Sequence, residues 1–309
     1  MQLALKIDVA TLRGTREGVP ALVDILQRHA ASATFFFTLG PDQAGRALRR
    51  VFPAAASAVL HHPSIAPRAG MTANLMSRIV PAQDIGRRAR AVLRSVADAG
   101  FETGVHAYDL VDWHAHAALA DADWTAAQLD RAIERYTDVF GEPPRAFAAA
   151  GWHTNRHALR LMQRLGFDYA SDGRGYAPHL PVWDAELIRC PQFPTTLPTL
   201  DEIAAVDGTP ADALAGELLA RTAEGGYDHV FTLRAELEGL ALAATFEQLV
   251  IGWKAQGYAL VALRTMVQSV EPMALPRCDV GTGTVRGRSG TVFNQGEEFL
   301  GDVELPRAA

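Results

Sequence analysis

Short apolar strands alternate with amphipathic helices along nearly all of this 309-residue chain, and that alternation does most to restrict its possible folds. Leu3–Val9 reads as a buried strand and Val19–His29 as an amphipathic helix, followed by the aromatic-rich strand Ala33–Thr38. The pattern from Asp84 to Ala99 is helical and stops at Gly100, the residue type that helix C-termini favour. Strand Glu102–Val105, helix Thr125–Phe140, strand Ala146–Ala149, helix Asn155–Leu165 and strand Tyr169–Ser171 continue the rhythm. A strand near Ile188–Cys190, helix Pro210–Ala223, strand His229–Leu233, helix Ala244–Gly257 and strand Ala259–Ala262 complete it. Strands separated by helices form parallel sheets, because a parallel pair needs a long crossover. About seven such units without a low-complexity linker predict an α/β chain forming a single distorted (β/α) barrel. The expected barrel runs over residues 1–277, with an irregular insertion at about 41–83 and a C-terminal extension over 278–309.

Barrels of this kind carry their chemistry where strands end. Asp8, His106, Trp152, Asp172 and Arg234 each fall at or just after a strand's C-terminal end. With 29 basic against 35 acidic residues and a net charge of -6, the chain is not expected to bind nucleic acid. Two cysteines, Cys190 and Cys278, form no framework, which suits a reducing compartment. No secretory signal pattern opens the sequence, and no apolar run approaches the roughly 18 residues of a membrane span. A cytoplasmic location is therefore expected. The segment Ala47–Ser64 mixes Arg49 and Arg50 with apolar residues. It reads as a solvated helix and loop over the barrel, with peripheral contact to a membrane surface as the other reading.

Seven motifs carry a family resemblance. They are IDVATLRGTREGVP (Ile7 to Pro20), ATFFFTLGPDQAGR (Ala33 to Arg46), FETGVHAYD (Phe101 to Asp109), AAGW (Ala149 to Trp152), YASDGRG (Tyr169 to Gly175), LPTLDE (Leu197 to Glu202) and FTLRAELEG (Phe231 to Gly239). On these the chain resembles the polysaccharide-deacetylase (NodB-homology) superfamily. Within it, the chain is most similar to the deformylases of 4-deoxy-4-formamido-L-arabinose carried on undecaprenyl phosphate. The resemblance implies a distorted (β/α) barrel, a divalent metal such as zinc, and hydrolysis of a formamide C–N bond. It also implies a lipid-linked amino sugar as ligand, and lipid A aminoarabinose modification at the cytoplasmic face of the inner membrane.

In the family the first motif is Asp-x-Asp, a catalytic base followed by a metal ligand. Asp8 matches the base, and Ala10 stands at the ligand position. The second motif is His-x-x-x-His, both histidines binding metal; His106 matches the first, and Leu110 replaces the second. The late motif His-Ala-Glu places a histidine as general acid, where this chain reads Arg234-Ala235-Glu236. A single residual ligand is not expected to hold zinc, since such sites draw about 10–16 kcal/mol from a full ligand set. Arginine stays protonated at any working pH and does not act as an acid toward an amine.

These replacements lead to the expectation of a catalytically impaired or non-catalytic sugar-binding homologue with no bound metal. An active deformylase or deacetylase with a rearranged metal site, built from His106 with His114 or Asp109, is the rival. Arg234 is expected to replace the charge of the metal by pairing with Asp8. Arg13 and Arg174, and less directly Arg16 and Arg46, are candidates for binding the phosphate of a lipid-linked sugar. Trp152 and Tyr108 are candidates for stacking on a sugar, and Asp172 and Glu236 for contacting it. Glu236 and Glu238, if in a strand, share a face from which one could hold Arg234. The pairs His61-His62 and His153/His157 read as surface residues.

Overall fold

The computed structural model of the protein describes residues 1–43 and 82–300. The expected insertion lies almost wholly outside the described residues, and Arg46, Arg49, Arg50, His61 and His62 with it.

β1 (Gln2–Val9) is buried along all but its first residue. That is the condition of a parallel strand covered on both faces, and its side chains divide by the period of two. Leu3, Leu5, Ile7 and Val9 pack outward with the helices in the main core. Ala4 belongs to a second cluster with Phe36, Ala146, Tyr169 and Phe193, inside the curled sheet. The same inner file continues through Lys6 to Asp8. A π-helical turn, Gly14–Gly18, leads into α1 (Val19–Arg28), whose first turn carries proline and whose core face is Val19, Leu22, Ile25 and Leu26. Pro20 suits that position because its missing N–H lies among the unpaired donors of a helix start.

β2 (Thr34–Thr38) is wholly buried. The single helix expected over Asp84–Ala99 is two, α2 (Ile85–Arg88) and α3 (Arg90–Asp98), broken where Ala89 leaves helical geometry. Asp84 caps the first by accepting from the Arg87 N–H. β3 (Glu102–Ala107) and α4 (Leu110–His116) follow. α5 (Ala122–Phe140) begins three residues before the expected Thr125, because Asp121 caps it through the Trp124 N–H. β4 (Ala146–Phe147), α6 (Arg156–Leu165) and β5 (Tyr169–Ala170) come next. The strand expected near Ile188–Cys190 is displaced to β6 (Leu180–Trp183) and β7 (Glu186–Leu187).

α7 (Leu200–Asp207), not anticipated, starts where the Glu202 carboxylate reaches back to accept from the Thr199 N–H at 3.0 Å. The chain continues through α8 (Leu214–Arg221), β8 (His229–Arg234), α9 (Ala243–Ala255), β9 (Ala259–Val261) and α10 (Leu263–Gln268). The extension forms β10 (Arg277–Gly283) and β11 (Val292–Glu298).

The main sheet has seven strands in the order β5-β4-β3-β2-β1-β8, with β9 also pairing with β1. β8 pairs with β1 from Leu3 to Asp8, so β2 and β9 share the other edge, β2 from Lys6 onward and β9 at Gln2–Ala4. Between β5 and β8 the wall is irregular chain. Phe193 N–H donates to Ala170 O and Ala170 N–H to Pro191 O, an isolated bridge in place of a ladder, and Thr196 N–H donates to Val230 O. The result is the distorted barrel expected from the alternation. A second sheet, β11-β10-β6-β7, packs the extension beside the barrel mouth.

Candidate functional site

At the C-terminal end of β1, Asp8 pairs in register with Phe36 of β2 and Arg234 of β8. A cavity of about 10 Å³ opens there, lined by Asp8, Ala10, His106, Leu110, Gly151, Trp152, Arg234 and Arg288. That is about the volume one water needs. The three replaced positions, Ala10, Leu110 and Arg234, thus meet Asp8 and His106 at one point, as the motifs imply.

Asp8 Oδ1 is buried and accepts no hydrogen bond. Its nearest polar neighbours are the Lys6 ammonium at 3.8 Å and His106 Nδ1 at 3.9 Å. The Lys6 ammonium is fully buried and donates to Ser171 O at 2.9 Å. Burial lowers its pKa, opposed by the nearby Asp8 and Asp172 carboxylates. Lys6 escaped the sequence reading, although the signal was available: it lies two residues before Asp8 on a strand buried on both faces.

His106 Nδ1 lies 2.9 Å from Ala148 O, a carbonyl that only accepts, so this nitrogen carries the proton and Nε2 is left basic. Burial lowers the imidazole pKa, against the nearby Asp8 carboxylate and the Ala148 hydrogen bond, which raise it. A basic Nε2 oriented by a carbonyl suits a metal ligand. The rest of the corner does not: Ala10 has no donor atom, and Leu110 presents a buried isobutyl group. Among the described residues no group of three or more His, Cys, Asp or Glu is placed to hold a metal ion. The residues present therefore do not fit the divalent metal that the resemblance implies. Asp109, offered as a rescue ligand, instead caps α4 through the Val111 and Asp112 N–H groups and accepts from Gln43. The His114 ring lies against the His153 ring, their centroids 4.2 Å apart, and beside Gly151 at the cavity edge.

The expected pairing of Arg234 with Asp8 is not found. Arg234 Nη1 donates to Asp201 Oδ1 at 2.6 Å, with both side chains buried. Asp201 sits in the first turn of α7, an element the sequence reading lacked, and it outcompetes Asp8 by direct contact. Burial works against the charge of the guanidinium, but Asp201 and Glu238 more than offset it and raise its pKa. Glu238 accepts from the Arg234 backbone N–H at 2.7 Å, and burial pushes its own pKa up to about 7.

Glu236 and Glu238 lie in the turn after β8, not in a strand, so the shared-face argument fails. Glu236 Oε1 accepts from the Ala10 N–H, the Thr11 N–H and the Thr11 hydroxyl at 2.9–3.0 Å, tying down the loop after Asp8. A Cβ on Gly14 would fall 2.0 Å from that same oxygen, which is why the loop carries glycine there.

Asp172 is fully buried, accepts from the Ala149 N–H and the Gln192 amide, and is pushed by burial up to about 6. Trp152 holds a left-handed backbone (φ 59) and donates from its indole N–H to Thr195. Cations surround its ring: Arg288 lies 4.4 Å, Arg174 4.9 Å and Lys6 5.8 Å from the ring centroid. Arg174 also meets Glu202 at 3.3 Å. Arg13, away from the cavity lining, pairs with Glu17 at the surface, and Arg16 donates to Arg88 O. Tyr108 stacks with Arg131.

Strand-end residues of a curled parallel sheet, meeting at the mouth of a distorted barrel, define a NodB-type hydrolase fold. The chain belongs to the polysaccharide deacetylase family, whose model matches residues 3–170, and to its ArnD-like branch. A relative in Shewanella sediminis, named "Probable 4-deoxy-4-formamido-L-arabinose-phosphoundecaprenol deformylase ArnD", is 32% identical over 95% of this chain and 94% of its own length. A crystal structure of a "probable Polysaccharide deacetylase" from Pseudomonas aeruginosa PAO1 superposes with a TM-score of 0.56 at 16% identity, covering 86% of this chain and 90% of that one. A CE4-family pseudoenzyme from Bacillus anthracis superposes with a TM-score of 0.50 at 14% identity, covering 86% of this chain and 65% of that one. No helix among the described residues is long and apolar enough to cross a membrane.

Proposed function

We propose that this chain is a member of the formamido-arabinose deformylase branch that no longer carries out metal-assisted hydrolysis and keeps the barrel mouth for binding a lipid-linked amino sugar or a close relative of one. The observation that carries this reading is the Arg234–Asp201 ion pair at the general-acid position. A guanidinium locked to a buried carboxylate has no proton to give a leaving amine near neutral pH. At the metal corner, Ala10 and Leu110 withdraw two donors and leave His106 beside Asp8. A cytoplasmic protein touching the membrane peripherally, where such a ligand would reside, fits this reading.

The test is zinc content together with formyl release. The native chain is expected to carry well under about one equivalent of zinc, and an Ala10→Asp/Leu110→His double variant to approach about one equivalent. The double variant is preferable as a metal test because it leaves the Arg234–Asp201 pair intact. Adding Arg234→His then tests for restored formyl release. Stoichiometric zinc in the native chain, together with turnover of a formamido sugar, would overturn the proposal in favour of a rearranged site. His114, beside Gly151 at the cavity edge, is the residue to substitute in that event.

A further inference from the structure

We propose that the loop joining β10 and β11 is a strap closing the barrel mouth, with Arg288 as its plug, and that a ligand reaches Asp8, His106 and Trp152 only when the strap lifts. The cavity at those residues measures about 10 Å³, room for one water, whereas pockets for small molecules start at roughly 300 Å³. Among the residues lining it, Arg288 alone comes from the hairpin; the others stand on or shortly after barrel strands. Its side chain is 6% exposed, and its guanidinium lies 4.4 Å from the centroid of the Trp152 ring.

The foot of the hairpin is fixed. Val292 and Phe293 are buried, and Phe293 stacks on Trp183 with ring centroids 5.7 Å apart. Arg174 N–H donates to Phe293 O, and Gln295 N–H donates to Arg174 O, both at 2.8 Å. The tip is held differently. It reads Arg286-Gly287-Arg288-Ser289-Gly290-Thr291, with no apolar side chain to bury, and Ser289, Gly290 and Thr291 are exposed. It closes on α7, where Arg288 Nη1 lies 3.4 Å from Glu202 Oε1 and a Cβ on Gly287 would fall 2.6 Å from Glu202 O. Segments that bury little apolar surface are the ones that open locally at least cost. Gly287 and Gly290 have φ of 86 and 80, conformations open to glycine, and give the loop two bends at which to hinge.

The barrel side of the cavity cannot make the room. Leu110 and Trp152 are buried, the Trp152 indole N–H donates to Thr195 Oγ1 at 3.2 Å, and Arg234 is bound to Asp201. Displacing any of these breaks core packing or a buried polar contact. Lifting the tip exposes a loop of polar side chains to water, and Glu202 keeps Arg174 at 3.3 Å when Arg288 leaves. The strap is therefore the part of the wall that gives way first. That it guards a sugar-binding mouth rests on the reading under Proposed function; the seal itself does not.

The test places a thiol in the cavity of the full chain and follows its alkylation by iodoacetamide. Leu110→Cys is the reporter and Ala10→Cys a second one on the same cavity; the native chain, whose two cysteines are buried, gives the background. Alkylation of either reporter is expected to be far slower than that of free cysteine. Adding Arg288→Ala should speed it about tenfold or more, the change in opening that loss of a hydrogen bond to a charged group allows. Removing that cation also raises the thiol pKa, which works against the increase. Gly287→Ala keeps Arg288 but pushes the tip off Glu202 O, and should speed alkylation as well. Arg160→Gln, at an exposed pair with Glu186, should leave the rate unchanged. Melting curves establish that each variant is folded. Reporters that react as fast as free cysteine, or rates that neither hairpin variant raises, overturn the strap. An increase with Arg288→Ala alone overturns it too, since Arg288 would then be a static wall. Zinc content and formyl release do not enter these rates, so the two proposals fail separately.

Discussion

Arg234 at the end of β8 and Asp201 in the first turn of α7 form a buried ion pair at 2.6 Å, although Arg234 stands beside Asp8 in strand register. Asp201 Oδ2 has no hydrogen-bond partner, so the Arg234 contact carries most of the compensation for this charge. Removing either partner leaves the other charged and out of water. Asp201→Asn and Arg234→Gln are each expected to cost about 3–5 kcal/mol, and the double variant clearly less than their sum. Chemical denaturation of the three variants measures this; simple additivity would show that the pair is not coupled.

Glu236 organises the loop that presents Asp8. One of its oxygens receives two backbone N–H groups and a hydroxyl. Glu236→Ala strands those donors, with an expected loss of about 2–4 kcal/mol, while Glu236→Gln keeps an acceptor there and should lose less than half of that. Urea unfolding of the two variants side by side gives the comparison, and equal losses would count against the hydrogen-bonding account.

Gly287 is where the hairpin turns against α7. Adding a methyl group at φ 86, facing Glu202 O, should destabilise the protein by about 1–3 kcal/mol. A variant with native melting temperature would show that the hairpin is not held where the structure places it.

His179, buried and bonded through Nδ1 to Ala177 O, has its pKa pushed down by burial from 6.5 to about 4. Between those values the unfolded chain binds the proton and the folded chain does not, so this group's contribution to stability rises with pH. The contribution is complete above about 6.5 and lost as pH falls toward about 4, on the order of 3 kcal/mol at most. His179→Gln should flatten the dependence of melting temperature on pH across that window. An unchanged slope would mean that His179 titrates normally.

Much of this protein was legible in its order of residues. Period-two and helical patterning established the parallel barrel, because burial on both faces forces continuous apolar strands, and the motifs located Asp8, Ala10, His106, Leu110 and Arg234 at strand ends that the fold brings together. The tertiary structure decided the partners. Arg234 and Asp8 are neighbours in strand register, yet the guanidinium turns to Asp201, because α7 carries a carboxylate into direct contact. Lys6 was visible as a residue, but only the closed sheet makes it a buried cation beside Asp8. Arg288, 54 residues beyond Arg234 in number, reaches the same cavity through glycine-dependent packing of the hairpin. Local periodicity reports which face of an element is buried; it carries no information about which distant charge will be waiting there.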